Sequence, residues 1–402
     1  MRENFRADVM RANVLSCLRR ELIGQIRLIK TNRTMKTTRI YTLFAVLLMA
    51  GRVTMQAQEV KVEASETIEL MSIMARTAGF QEYHMDMAGK YTEETEAWFA
   101  PFESHSAIAY MRSLRAKYGI SYDAVASMSL HIEADGKTVR LVDAKTLEQR
   151  WQNVNLDTCL MYINQFYVDT HFHEFYMQHQ SFYEEGLQAY KNNVMQYFKQ
   201  DWYAHFYGMA PERIFTVIIG FTNGGNCYGP SRQFPSQKIE VFSISGYYLD
   251  EETGKAFEDG LYLASLLVHE FNHSFVNPRL DDEANKTLLL PIGEDLYVLT
   301  KNLMNWQAYN NGTTVLNESI VRAAVIIYME ENGFAAGQVR DEMYDQLGRG
   351  FHWMPELVGA LKEYTHHRDK YPTFNDFYPE IAKVLGAYVE SEHQQINTAL
   401  ER

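Results

Sequence analysis

Residues 266–278 read LLVHEFNHSFVNP, with His269 and His273 four apart and Glu270 directly after the first. On a helix this spacing stacks both imidazoles on one face. Their ring nitrogens can then reach one ion at roughly 2.0–2.1 Å each. Glu270 is turned by about 100° from His269, so it points beside such an ion and can hold a water instead of ligating. Two ligands with a base beside them suit hydrolysis by a metal-activated water. The competing reading is an ordinary buried helix whose histidines hydrogen-bond within the core. With 13 histidines in 402 residues, random order yields the motif in roughly one such chain in thirty, so context has to decide. Every position of 261–268 (LYLASLLV) except Ser265 is apolar, which marks a helix buried on most sides. His, Glu and His placed there need partners, because burying them bare costs several kcal/mol. Asn277-Pro278 is expected to end the helix, since the residue before a proline is pushed out of the helical region.

A catalytic zinc site has three protein ligands and one open position. The best third ligand is Glu318 in VLNESIVRAAVIIYM (315–329), a carboxylate near the start of a second strongly apolar helix. Glu318 and Arg322 are also spaced i, i+4 and could form a plain ion pair. If Glu318 is the ligand, Asn317 or Arg322 would brace it. Glu294 and His352 are the reserve ligands. A proton donor or oxyanion stabiliser should be a Tyr, His or Arg facing the metal. His352, Tyr364, His366, His367 and Tyr371 lie downstream, and nothing in the sequence chooses among them. The stretch HFHEF (171–175) is a decoy, because Met177 stands where the second histidine would be needed.

The elements that must position these residues are mostly helices. Helices are expected over 65–78, 105–118, 257–276, 314–331, 352–366 and 378–395, with long helices within 155–206. RIFTVIIGF (213–221) and KIEVFSISGYY (238–248) read as strands, separated by the turn-rich TNGGNCYGP. The expected fold is α+β, a mainly helical, zincin-like domain with a small central sheet next to the His-containing helix. In zincins an edge strand beside that helix pairs with extended substrate, and either strand could supply it.

Met35 opens a basic start (Lys36, Arg39), an apolar run from Leu43 to Ala50, and small or polar residues to Ala57. That is the layout of a secretory signal over 35–57. The run is too short to span a membrane. Residues 1–34, with seven arginines and a lysine, read as an upstream extension. After the signal come 58–254, a helical region with the sheet, and 255–402, with the His-containing helix and further helices, as one catalytic unit. Beyond residue 57 the chain keeps 27 basic against 48 acidic side chains, a formal charge of −21. Such a surface repels phosphate backbones, so nucleic acid is not an expected partner, and no stable membrane insertion is expected once the signal is cleaved. An exported location, periplasmic or secreted, follows. Cys159 and Cys227 remain after the signal; two cysteines form no disulfide framework.

HEFNHSFVNP (269–278), with LNESIVRA (316–323) and GISYDAVASMSLHI (119–132), resembles a family of exported bacterial proteins catalogued as a domain of unknown function and regarded as zinc metallopeptidases. The resemblance spans roughly 65–370. It implies zinc on His269 and His273, Glu270 as catalytic glutamate and Glu318 as third ligand, but gives no target; the leading reading is an exported zinc peptidase with a peptide or protein substrate. Two other readings stay open. One is a non-catalytic exported protein that holds peptide or glycan on its tyrosines; the other is a zinc hydrolase of a non-peptide amide.

Overall fold

The computed structural model describes residues 60–401 except 86, 209–212, 235–236 and 251. The expected signal and the extension before it lie outside these residues. The chain begins with β1 (Lys61–Ala64) and α1 (Glu66–Thr77), whose start is capped by the Ser65 hydroxyl accepting the Ile68 N–H. Then come α2 (Lys90–Phe99), α3 (Ser106–Tyr118) and α4 (Asp123–His131), and a hairpin of β2 (Ile132–Ala134) and β3 (Val139–Leu141). The aromatic-rich stretch where long helices were expected is cut into α5 (Leu156–Asp169), α6 (Phe172–Gln178), α7 (Gln180–Asn193) and α8 (Asp201–Tyr207). The first cut falls at His171, which adopts a left-handed conformation (φ +53°). A lone residue there ends one helix and starts the next at a new angle.

β4 (Arg213–Gly220), β5 (Ser231–Arg232) and β6 (Ile239–Gly246) join β1 in a sheet of order β1-β4-β6-β5. β1 and β6 run parallel to β4, and β5 runs antiparallel to β6. β4 and β6 are buried from their third residue onward. Continuous apolar and β-branched runs of this kind suit strands covered on both faces. The expectation that one of them is an edge strand is corrected here. β4 lies between β1 and β6, and the outer side of β6 is closed by Tyr228 and β5.

The remaining chain is helical: α9 (Gly260–Leu280), α10 (Glu283–Trp306), α11 (Gly312–Glu331), α12 (Ala336–Gly348), α13 (Met354–His366) and α14 (Tyr378–Leu400). α9 packs on β6 and, on its other side, on α11, which in turn contacts α10 and α13. Residues before and after position 254 thus share one core. The architecture is α+β and mainly helical. No helix among the described residues is long and apolar enough to cross a membrane.

One further expectation fails, and two helices fall outside the expected ones. α9 does not stop at Asn277 but runs through Pro278 to Leu280. A proline costs a helix the bond from its missing N–H to the carbonyl four residues back, here that of Ser274. Arg213 Nη1 donates to that carbonyl at 2.6 Å, while its guanidinium lies 3.9 Å over the Phe275 ring. The orphaned acceptor is therefore satisfied from β4. The sequence also gave no sign of α10 and α12. The buried stripe of α10 is Asn285, Leu289, Gly293, Leu296, Thr300 and Met304, helical in spacing but only half apolar. Pro291 and Gly293 within it read as breakers.

Candidate metal centre

α9 brings His269 and His273 to one side, with their Nε2 atoms 3.1 Å apart and their rings nearly perpendicular. α11 supplies Glu318 opposite, with Oε2 at 3.6 Å from His269 Nε2 and Oε1 at 3.5 Å from His273 Nε2. Asn272 ties the two helices together at this level by donating to the Val321 carbonyl at 3.3 Å. Among the described residues, His269, His273 and Glu318 form the one group that could hold a metal, with ligand atoms within 4.8 Å of one another. Tetrahedral zinc with ligands near 2.0–2.1 Å would place them roughly 3.3 Å apart, so the three donors fit that ion.

The chain belongs to the family described as Domain of unknown function (DUF4932). That family's model matches residues 59–384, which takes in the sheet, α9 and α11. No curated protein and no solved structure matches the chain.

The charges in this DUF4932 site are held by their surroundings. Burial drives the His269 imidazole well below its usual pKa, and the neighbouring Glu318 only partly offsets this. Burial would raise the Glu318 carboxyl, but Arg322, the two histidines and Tyr309 outweigh it and hold it at about 2. Arg322 donates to Glu318 Oε2 from Nε at 3.1 Å, and its Nη2 lies 3.0 Å from the same oxygen. It is itself held by Gln346 Oε1 and the Tyr309 oxygen and lies over the Phe351 ring. The i, i+4 pair and the ligand geometry are therefore compatible: Arg322 contacts one oxygen of Glu318, while both oxygens face the histidines. His273 Nδ1 sits 3.1 Å from Asn277 Oδ1. A carbonyl oxygen only accepts, so Nδ1 of His273 is the donor in this pair, which fixes the ring with Nε2 turned toward Glu318.

Glu270 is buried beside the cluster, and burial together with the charge of Glu318 pushes its carboxyl up to about 8. Its backbone is pressed against Gly229, where a Cβ would overlap the Glu270 carbonyl. Cys227 and Tyr248 lie near enough to feel its charge. Both Cys159 and Cys227 are free thiols.

The other sequence candidates are placed differently. Asn317 adjoins Glu318, and its Oδ1 is buried without a partner. Glu294 Oε1 accepts the Gly312 N–H at 2.9 Å, which fixes the turn into α11. His352 is exposed ahead of α13. Tyr364 is not brought to the cluster. It is fully buried among Phe206, Phe374 and Phe377, and its hydroxyl donates to the Phe206 carbonyl at 2.5 Å. In the decoy stretch, His173 Nδ1 pairs with Glu66 at 2.9 Å. Sequence reasoning missed Asn277, Tyr309, Gln346 and Gly229. Asn277 alone carried a local signal, standing one helical turn after His273.

Proposed function

We propose that the chain is an exported zinc metallopeptidase of the zincin-like kind that hydrolyses peptide bonds, with Glu270 as general base. The observation that carries this reading is the convergence of His269, His273 and Glu318 from two helices, with a buried carboxylate beside them. Zinc bound there would polarise the scissile carbonyl and make a water more acidic. The rest of the chemistry falls to the chain. His269 and His273 turn their Nε2 atoms to one point, and Asn277 orients the His273 ring from its Nδ1 side. Arg322 keeps Glu318 charged and aimed at both histidines. Glu270, buried beside the cluster, takes the water's proton and delivers it to the leaving nitrogen. An extended substrate would lie along the outer side of the segment 228–232, which adjoins Glu270 through Gly229. The export component rests on the signal-like residues 35–57.

Elemental analysis of purified protein after zinc supplementation tests the centre. One equivalent is expected, and well under half an equivalent overturns the reading. Hydrolysis of a mixed peptide library then separates a peptidase from a zinc protein that binds peptide or glycan, or that cleaves a non-peptide amide.

A further inference from the structure

Hydrolysis of an amide also needs a group to meet the negative charge that gathers on the carbonyl oxygen as water adds. A preorganised donor at that oxygen is worth about 10²–10³ in rate. The sequence offered five downstream candidates, and the structure engages or exposes each elsewhere. Tyr364 is sealed in the core on the Phe206 carbonyl. The Tyr371 hydroxyl donates to Glu380 at 3.2 Å. His367 pairs with Glu363 on the surface, and His352 and His366 are exposed.

Tyr309 is placed otherwise. It stands on the short turn between α10 and α11, half-buried, with its hydroxyl on the Glu318 side of the cluster. Arg322 Nη2, 3.0 Å from Glu318, donates to the Tyr309 oxygen at 2.9 Å. That oxygen is thus an acceptor there, and its own hydrogen is directed at the Glu318 carboxylate. The turn is rigid. Ala308 holds a left-handed φ of +65°, which a side chain adopts only when its surroundings impose it. The Tyr309 N–H donates to the Met304 carbonyl at 2.9 Å, Gln307 Nε2 to the Arg349 carbonyl at 2.8 Å, and Gly312 N–H to Glu294. α10 and α11 meet there at Gly293 and Gly312, where a Cβ on either would strike the other helix. Such bracing holds a donor in place before a substrate arrives.

We propose that Tyr309 is a catalytic residue that donates its phenolic hydrogen to the reacting carbonyl oxygen, from the Glu318 side of the cluster. This rests on the zinc-peptidase reading of the same site. In the step concerned, the water oxygen bonds to the carbonyl carbon and the C–N bond breaks. The proton taken by Glu270 passes to the leaving nitrogen, and the water's other proton stays with the new carboxyl group. Tyr309 keeps its proton throughout and contributes only a hydrogen bond. An incoming oxygen beside Glu318 takes over the hydrogen that now lies within reach of that carboxylate.

Tyr309→Phe removes the hydroxyl and keeps the ring. Wild type and variant are compared for zinc stoichiometry, zinc affinity, melting temperature and calorimetric affinity of the zinc-loaded protein for inorganic phosphate, a tetrahedral oxyanion. Expected are equal stoichiometry, nearly equal zinc affinity and phosphate binding weakened by about tenfold or more. Unchanged phosphate affinity overturns the proposal. So does a loss of zinc affinity with phosphate binding intact, which would make Tyr309 a brace for Glu318 alone. Failure of phosphate to bind the zinc-loaded wild type overturns it as well. If the wild type holds no zinc, the underlying reading falls first, and the stoichiometry shows that separately. Should the melt show Tyr309→Phe to be misfolded, Tyr309→Gln, which keeps a donor, is expected to retain phosphate binding, and its failure to do so in a folded protein counts against the role.

Discussion

Four carboxylates and amides around the histidines have separate duties, and single substitutions distinguish them. Glu270→Gln is nearly isosteric and touches no ligand atom. It should leave melting and zinc content intact while turnover falls by about 10²–10⁴. A lowered melt with retained turnover would make Glu270 a packing residue. Glu318→Ala removes one of three donors and should cost most of the zinc affinity. Glu294→Ala should leave zinc bound, because its carboxylate is engaged by the Gly312 N–H instead. If zinc binding instead follows Glu294, the ligand assignment is exchanged. Asn277 holds His273 from one turn away, and groups in that position are commonly worth 10–100-fold in metal affinity. Asn277→Ala should therefore weaken zinc binding by about that factor without unfolding the helix.

The histidine-bearing helix extends beyond its own proline because a neighbouring strand completes its hydrogen bonding. Arg213 reaches from the start of β4 to the Ser274 carbonyl that Pro278 cannot serve. Arg213→Leu should strand that buried acceptor and destabilise the protein by about 1–3 kcal/mol. Pro278→Ala restores an N–H to the same carbonyl. In the Arg213→Leu background it should recover part of the loss, so a double-mutant cycle by urea denaturation should show coupling between the two sites. Additive effects would mean that Arg213 acts through its ring contact with Phe275 alone. The same dependence on a neighbour explains the edge of the sheet. Gly229 is tolerated against Glu270 only because it has no side chain.

At the scale of the molecule, one buried acid ties the first helix to the loop that leads to the site. Glu69 is fully buried and accepts from the Phe221 N–H at 2.7 Å, the Thr222 hydroxyl at 2.9 Å and the Tyr91 hydroxyl at 3.0 Å. Burial outweighs these donors and pushes its carboxyl up to about 7 from the usual 4.5. Between those two values the folded protein holds more protons than the unfolded chain. Stability from this group is therefore full below the lower value and declines as pH rises through the window, by at most about 1.4 kcal/mol per pH unit. Melting temperatures measured from pH 4.5 to 8 should fall more steeply with pH for wild type than for Glu69→Gln. Parallel curves would show that Glu69 stays ionised in the fold.

The sequence alone determined the helices whose apolar spacing is regular, α1, α3, α9, α11, α13 and α14, and the two central strands, whose β-branched runs admit little else. It also placed His269, Glu270 and His273 together, because an i, i+4 relation is a local property of a helix. Glu318 could be selected as an odd carboxylate in an apolar helix, but its approach to the histidines depends on how α9 and α11 pack. Tyr309, Gln346 and Gly229 left no trace in the sequence. Their roles arise from turns and from contacts between separate elements, and no periodicity encodes such a meeting. α10 was hidden for a related reason: its buried stripe is built of Asn, Gly and Thr as much as of Leu and Met, chosen for close approach to other helices and not for hydrophobicity. Sheet order, the course of α9 through Pro278 and the buried state of Glu69 were likewise decided by the tertiary structure, because each depends on a hydrogen bond or a desolvation that a distant part of the chain supplies.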